Sequence, residues 1–268
     1  CRRTNPLDLS ATKQTQIVAG HTFWTMKNYL NFDTTEENTP IYRVFSKTFF
    51  NDLLDNRRLC LVRPSLWADP FENYIMNSKG LLKDGTPFTV DFRTNLYGQC
   101  WTLKKESDAI WRIYAKAEDG IKVKTSIKKL YDALYQTQGQ FKDISCFIGK
   151  VKYYKKTDLI EFLGDSSRIR NWLTDSTCRS QAHTLLFKRI PFSHEKEVRL
   201  IFYSPNKLTD DKYFINIDPN EFIDEITIDP RVPYATFRAW KDEFIKKGIK
   251  KKIIRSNLYK SPSLTFNF

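Results

Sequence analysis

The sequence predicts an α+β protein with a mixed or antiparallel central sheet and flanking helices. Short runs with period-two alternation are interleaved, without strict alternation, with runs at helical spacing, the pattern of a mixed α+β domain. The 268 residues are 41% hydrophobic and 15% aromatic, enough to bury a substantial core. Gly and Pro are sparse, at 9 and 11, and no repeat or low-complexity block is present, so no flexible linker divides the chain. Residues 40–268 are therefore expected to form one domain. Residues 1–39, polar apart from an aromatic group around Phe23 and Trp24, are expected to form an N-terminal arm or cap.

The elements follow in order. Ile41 to Phe45 alternates as a short strand, and Ser46 stands where an N-cap belongs before Phe49, Phe50, Leu53 and Leu54 at helical spacing. Leu59 to Val62 reads as a strand closed by Pro64. Tyr97 to Thr102 reads as another, ending at a polar turn, after which Ser107 caps a helix with Trp111, Tyr114 and Ala115 on one face and Gly120 beyond its end. Ile121 to Thr125 alternates with lysines as a strand, and Ser126 to Tyr135 resumes a helical pattern. Cys146 to Tyr154 is expected as one strand and Leu159 to Phe187 as largely helical. Strands follow at Glu197 to Tyr203, Tyr213 to Ile217 and Glu225 to Ile228. Phe237, Trp240 and Phe244 place a helix after Pro233 that ends at Gly248, and Lys252 to Ser256 reads as the last strand.

A formal charge of +13 favours a polyanionic partner, because summed positive potential attracts phosphate whatever its sequence. Three basic clusters carry it: Lys122 and Lys124; Lys150 to Lys156, which includes Lys152, Lys155 and Lys156 with Tyr153 and Tyr154 interleaved; and Lys246 to Arg255. Such clusters track a phosphate backbone while aromatics stack on bases; each taken alone is also compatible with a solvated face. The five cysteines, Cys1, Cys60, Cys100, Cys146 and Cys178, are scattered, odd in number and without a CxxC pair. That argues against zinc or a disulfide scaffold and for a reducing, cytoplasmic setting. No apolar run approaches the roughly 20 residues that span a bilayer, so no membrane partner is expected.

Four groups of residues are candidates for chemistry. Arg43 lies inside an apolar strand, where an unpaired guanidinium is too costly to bury and calls for a carboxylate or phosphate; a structural ion pair to Asp69 or Glu72 is the plain alternative. Trp67 precedes Asp69-Pro70-Phe71-Glu72 and offers a stacking surface beside a turn. Gln99-Cys100-Trp101-Thr102 leads to Glu106-Ser107-Asp108 and the Trp111 to Tyr114 helix, a strand-to-helix junction rich in polar groups. Lys188-Arg189 accompanies the fourth, Glu195 and Glu197, which as residues i and i+2 of one strand would point the same way. The plain reading of that pair is a solvated strand end balanced by Lys196 and Arg199. There is no GxxxxGK[ST] loop, no GxGxxG after a strand and no metal spacing among His21, His183 and His194.

Taken together, Tyr42-Arg43, Leu66 to Glu72, Gln99 to Thr102, Glu106 to Tyr114 and Glu195 to Leu200 resemble a widespread bacterial family catalogued as a domain of unknown function. An arginine on the first strand, a polar strand end in the middle and a Glu-x-Glu at the start of a later strand also resemble the Arg, Ser-Thr-Ser and Glu-x-Glu signature of ADP-ribosyltransferases, with Gln99-Cys100-Trp101-Thr102 in place of Ser-Thr-Ser. This resemblance implies an ADP-ribosyltransferase-like core that takes NAD as a substrate and needs no metal. It implies that Arg43 holds the NAD diphosphate, Thr102 supports the site, Glu197 is the catalytic glutamate and Glu195 orients or deprotonates the acceptor. Trp67, Trp101 or Tyr114 would stack on a base or the nicotinamide. With the basic clusters, the expectation is transfer to nucleic acid, RNA before DNA, by a bacterial toxin or phage-defence effector whose arm at 1–39 docks an antitoxin or inhibitor. The alternatives are a nucleic-acid-binding module without catalysis and a metal-dependent nuclease working through Asp69, Glu72, Glu195 and Glu197.

Overall fold

The computed structural model describes residues 28–33, 35–67, 69, 72, 79–81, 84–89, 94–165, 167, 170, 175 and 177–265. Phe23, Trp24 and most of the expected arm lie outside them. Tyr29–Leu30, placed in that arm by sequence, is strand β1 and pairs in parallel with Ile148 and Gly149.

From there the order is β2 (Pro40–Ser46), helix α1 (Lys47–Asn56), β3 (Arg58–Val62), β4 (Lys79–Leu81), β5 (Pro87–Thr89), β6 (Leu96–Thr102), α2 (Asp108–Tyr114), β7 (Gly120–Ser126), α3 (Ile127–Tyr135), β8 (Cys146–Lys150), β9 (Lys152–Tyr154), α4 (Lys156–Gly164), α5 (Arg179–His183), β10 (Phe187–Arg189), β11 (Glu197–Tyr203), β12 (Lys212–Asn216), β13 (Glu225–Ile228), α6 (Tyr234–Lys246) and β14 (Lys252–Arg255). Single-turn helices precede β8 and β13. Local chemistry sets several of these boundaries. The hydroxyls of Ser46, Ser107 and Ser126 accept the amide hydrogens of Phe49, Ile110 and Lys129 at the starts of α1, α2 and α3, each satisfying a donor that the first helical turn leaves open.

Ten strands form one mixed sheet in the order β1-β8-β11-β6-β2-β7-β13-β14, with β3 joined to β6 and β12 to β3. β1 and β14 run parallel to their neighbours and the other pairs are antiparallel. Alternation along the strands separates two cores. Ile41, Tyr97, Trp101, Val123, Ile148, Val198 and Leu200 face a large cluster closed by α1, α3 and α6. Leu96, Phe147 and Ile201 face a smaller one completed by Ala182, Leu185 and Leu186. The sheet is thus covered on both faces, which is the α+β architecture the sequence predicts.

Two expected elements are broken. The strand at 146–154 is two: the ladder of β8 with β11 makes its last bond from the Val151 amide to the carbonyl of Glu197, where β11 begins, and Lys152–Tyr154 then pairs in parallel with Phe187–Arg189. Among the described residues of 159–187, helix is found at α4, Ser167, Arg170, α5 and a short turn at Thr184–Leu186, is interrupted at Asp165, Asp175 and Thr177, and gives way to β10 at Phe187. Gly120, expected beyond a helix end, begins β7.

One irregularity positions the site. β2 meets β6 only at Tyr42 opposite Thr102, and β3 meets it only at Val62 opposite Gly98. Between these two points β6 lacks a continuous partner on that side, and the sheet opens into a fork.

Candidate active site

A cleft of about 460 Å³, counting its open mouth, lies at the fork, lined by Tyr42, Arg43, Val44, Cys100, Trp101, Thr102, Ile110, Tyr114, Glu195 and Glu197. Of the residues the resemblance assigned to catalysis and NAD binding, Trp67 alone is not in that lining.

Arg43 is half-buried in the fork. Its Nη1 donates to the carbonyl of Cys100, on the stretch of β6 without a continuous strand partner. Its Nε is buried with no hydrogen-bond partner, and among the described residues no carboxylate pairs with it. Asp69 bonds Arg189 and Glu72 bonds Arg199, so the structural ion pair considered from sequence does not form. Burial pulls this guanidinium below its usual value, although arginine stays charged at any ordinary pH.

The opposite wall carries the two glutamates, which converge by a route that strand periodicity does not describe. Glu195 ends a 3₁₀ turn, Lys196 has φ +43°, and Glu197 opens β11. The left-handed residue between them costs on the order of 1 kcal/mol. Thr102 pins this turn: its hydroxyl donates to the Glu195 carbonyl at 2.5 Å and accepts the Lys104 amide hydrogen at 3.0 Å. The Glu197 amide donates to the Tyr153 hydroxyl at 2.9 Å.

Both carboxylates are buried, at 7% and 6% exposure, and both reach one ammonium group. Lys188 Nζ is 2.5 Å from Glu195 Oε2, 2.9 Å from Glu72 Oε1 and 3.4 Å from Glu197 Oε2. Arg199, fully buried, bonds Glu197 Oε2 at 2.5 Å, Glu72 Oε1 at 2.8 Å and the Leu185 carbonyl at 2.6 Å. Burial alone would raise the Glu197 carboxyl, but Arg199 and Lys188 outweigh it and hold the group below the usual carboxylate range. Cys100 beside it is pushed up to about 12, by burial first and then by Glu197, so it stays a neutral thiol. Burial of the Tyr114 hydroxyl, with the charges of Glu195 and Glu197, raises that phenol as well, while the residue remains 46% exposed at the cleft.

Several expected residues have other work. Trp101 is 2% exposed, donates its indole N–H to Gln99 at 2.9 Å and packs edge-on against Phe45 and Phe222, so its ring belongs to the core and not to a stacking platform. Trp67 lies 4.5 Å from the Arg199 guanidinium on the far side of the carboxylate network. It fits there because Gly98 has no side chain: a Cβ would come within 2.7 Å of the indole. Lys122, expected at a nucleic-acid surface, is 5% exposed; its ammonium group bonds Glu106 at 3.1 Å and the Lys105 carbonyl at 2.9 Å between the rings of Tyr42 and Trp111. Lys124 is half-buried on the same strand, and Tyr153 is half-buried against Glu197. Lys152, Lys155 and Lys156 are exposed.

Lys188, which accompanies the glutamate pair in sequence, and Glu72, expected only as part of the nuclease alternative, join the site as ion-pair partners, and Arg199, expected to balance a solvated strand end, is instead its buried cation. Arg199 carried the needed signal, a guanidinium within an apolar run and two residues from Glu197, the same signal that singled out Arg43.

Among the described residues no helix is long and apolar enough to cross a membrane. No family model and no curated protein matches the chain, so its likeness to the family of unknown function rests on motifs alone. Among solved structures, Thermus sp. 2.9 DarT in complex with NAD+ aligns at 12% identity over 82% of this chain and 96% of that one, with a TM-score of 0.36. The same protein in complex with ADP-ribosylated ssDNA aligns at 9% identity over 82% and 95%, with a TM-score of 0.39. Its complex with carba-NAD+ aligns at 11% over the same shares, with a TM-score of 0.35. Overlaps this loose carry no functional conclusion, and the roles of the residues rest on the cleft itself.

Proposed function

We propose that the cleft binds NAD as a substrate, cleaves its nicotinamide–ribose bond and transfers ADP-ribose to nucleic acid. The observation that carries this reading is the convergence of Glu195 and Glu197 in one wall of a cleft whose other wall holds Arg43. Three carboxylates, Glu72, Glu195 and Glu197, meet two cations, Lys188 and Arg199, which leaves one excess negative charge in that wall.

The bond to be broken joins the ribose anomeric carbon to a pyridinium nitrogen. As it breaks, its electron pair goes to nitrogen, neutral nicotinamide leaves, and positive charge moves to the anomeric carbon and ring oxygen. A carboxylate kept ionised beside that carbon favours the transition state over the ground state, which is the role of Glu197. The acceptor then bonds to the anomeric carbon and gives its proton to Glu195. Arg43 offers the diphosphate a guanidinium that has no carboxylate partner, and Tyr114 offers an exposed ring for stacking. Thr102 acts through the main chain of Glu195. Lys152, Lys155 and Lys156 supply phosphate contacts for the acceptor strand. An enzyme that consumes NAD and marks nucleic acid harms its own cell, which fits a toxin or phage-defence effector restrained by an inhibitor protein.

A metal-dependent nuclease is less favoured, because the Lys188 ammonium group occupies the point between the three carboxylates where a divalent ion would bind. The test is incubation of the protein with labelled NAD and separate RNA, DNA and protein pools, beside Glu197→Gln and Arg43→Ala variants of confirmed fold. Label on RNA or DNA, reduced on the order of 100-fold or more in Glu197→Gln, is the expected result. Label on protein alone would replace the acceptor, and no NAD turnover in any pool would overturn the reading.

A further inference from the structure

The Trp67 to Glu72 segment, singled out by sequence, has no part in the steps above, yet it reaches the same network from behind. Trp67 lies over Arg199, Asp69 pairs with Arg189 at 3.0 Å, and Glu72 bonds both Arg199 and Lys188. Lys188 is thereby the meeting point of three carboxylates. Arg199 bonds Glu72 and Glu197, while Lys188 is, among the described residues, the cation bonded to Glu195. Two buried carboxylates at one site do not stay ionised together unless a cation stands between them.

We propose that Lys188 is a positioning residue whose ammonium group, itself oriented by Glu72, keeps Glu195 and Glu197 ionised at the same time and fixed in the cleft wall. Its consequence for catalysis rests on the NAD-cleaving reading; the ionisation of the two glutamates does not. The groups that face Lys188 or the Glu197 it bonds come from every neighbouring element: Glu72 from the Trp67 segment, Glu195 from the 3₁₀ turn, Glu197 and Arg199 from β11, Cys100 from β6, Tyr153 from β9, Tyr114 from α2 and Arg43 from β2. Cys100 and the two phenols remain neutral near pH 7, since their shifts are all upward, so the balance lies with the three carboxylates, the two cations bonded to them and Arg43 on the opposite wall. Without Lys188 the one cation left bonded to these carboxylates, among the described residues, is Arg199, with Arg43 acting on Glu197 from the opposite wall, and Glu195 is left without a bonded cation. Glu72 matters for the opposite reason: it takes part of the pull of both cations and leaves the cleft face net negative.

The experiment is a carbon-detected NMR titration of glutamate side chains in the full chain, with NAD turnover measured over the same pH range. In the native protein no glutamate carboxyl is expected to titrate above about pH 6. Lys188→Met is expected to show one new titration above that point, which disappears in Lys188→Met/Glu195→Gln, and Lys188→Arg is expected to restore the native pattern. The acidic limb of NAD turnover should move up by at least one pH unit in Lys188→Met and return in Lys188→Arg, a shift that a merely structural loss of packing does not produce. A native glutamate titrating above pH 6, or a folded Lys188→Met without a new titration, overturns the proposal. If Lys188→Met does not fold, the native spectrum and that of Lys188→Arg decide it, and Lys188→Arg must then match the native pattern. Native protein that turns over no NAD removes the functional reading and leaves the titration result standing.

Discussion

The two walls of the cleft solve the cost of buried charge in opposite ways. On the β11 side, Arg199 is fully buried with two carboxylates and a carbonyl around its terminal nitrogens, and Lys188 is bonded to three carboxylates. On the β2 side, Arg43 has one carbonyl partner and a buried Nε with none, and among the described residues no carboxylate forms an ion pair with it, Glu197 acting on it only from the opposite wall. The guanidinium of Arg199 also leaves its Nε unpartnered, so the contrast lies in charge and not in hydrogen-bond count. A cation buried without an anion is costly unless a ligand supplies one. The first wall is finished when the chain folds, and the second is finished by an anionic substrate.

That contrast can be broken at several points. Arg199→Met removes a cation from a closed network and leaves Glu72 and Glu197 short of a partner, so it should cost about 3–5 kcal/mol of unfolding free energy. Urea unfolding measures this, and a loss under about 1 kcal/mol would mean that the network does not hold the wall together. Arg43→Met removes a cation that no ion pair holds in place. Its stability is expected to stay within about 1 kcal/mol of the native protein, while affinity for NAD or pyrophosphate, read by calorimetry, falls about tenfold or more. Reversal of these two results would exchange the roles of the walls.

A third test uses pH. Because its carboxyl lies below the usual range in the folded state, Glu197 contributes stability that is present above the unfolded carboxylate value and is lost as pH falls through the folded one. Glu197→Gln should therefore flatten the loss of melting temperature between pH 7 and pH 3, and an unchanged slope would show that the carboxyl is not held ionised. The smallest effect belongs to the surface. Single alanine replacements of Lys152, Lys155 or Lys156 should leave stability unchanged and reduce the salt slope of single-strand binding by about 0.7 each, whereas Lys122→Ala should lower stability because its ammonium group is buried against Glu106.

Much of the fold was readable because the signals are local. Ser46 and Ser107 cap helices where expected, Ser126 caps the helix it was expected to begin, and the strands at 197–203 and 225–228 begin and end where the alternation does. The failures occur where distant chain decides. β8 ends at Val151 because its partner β11 begins at Glu197, and the last turn before β10 gives way to a strand because Lys152–Tyr154 offers it a partner. Glu195 and Glu197 do meet, but through a left-handed Lys196 and a shared lysine instead of a common strand face. The aromatic assignments divided in the same way. Trp101 and Tyr114 look equally suited to stacking in the sequence, yet β6 turns one into the core and α2 leaves the other at the cleft.

By itself, then, the sequence determined which residues must find partners: an arginine in each of two apolar strands, a pair of glutamates at a strand mouth, and a Trp-x-Asp-Pro-Phe-Glu segment with two carboxylates to place. Those demands follow from the cost of burying charge, which composition and local pattern already reveal. Only the tertiary structure decided how they are met, because ion pairs join residues such as Glu72 and Arg199 across 127 positions, and no local pattern encodes which distant strand will lie alongside. It assigned Glu72 to Arg199 and Lys188, and it left Arg43 alone in the fork between β2 and β6.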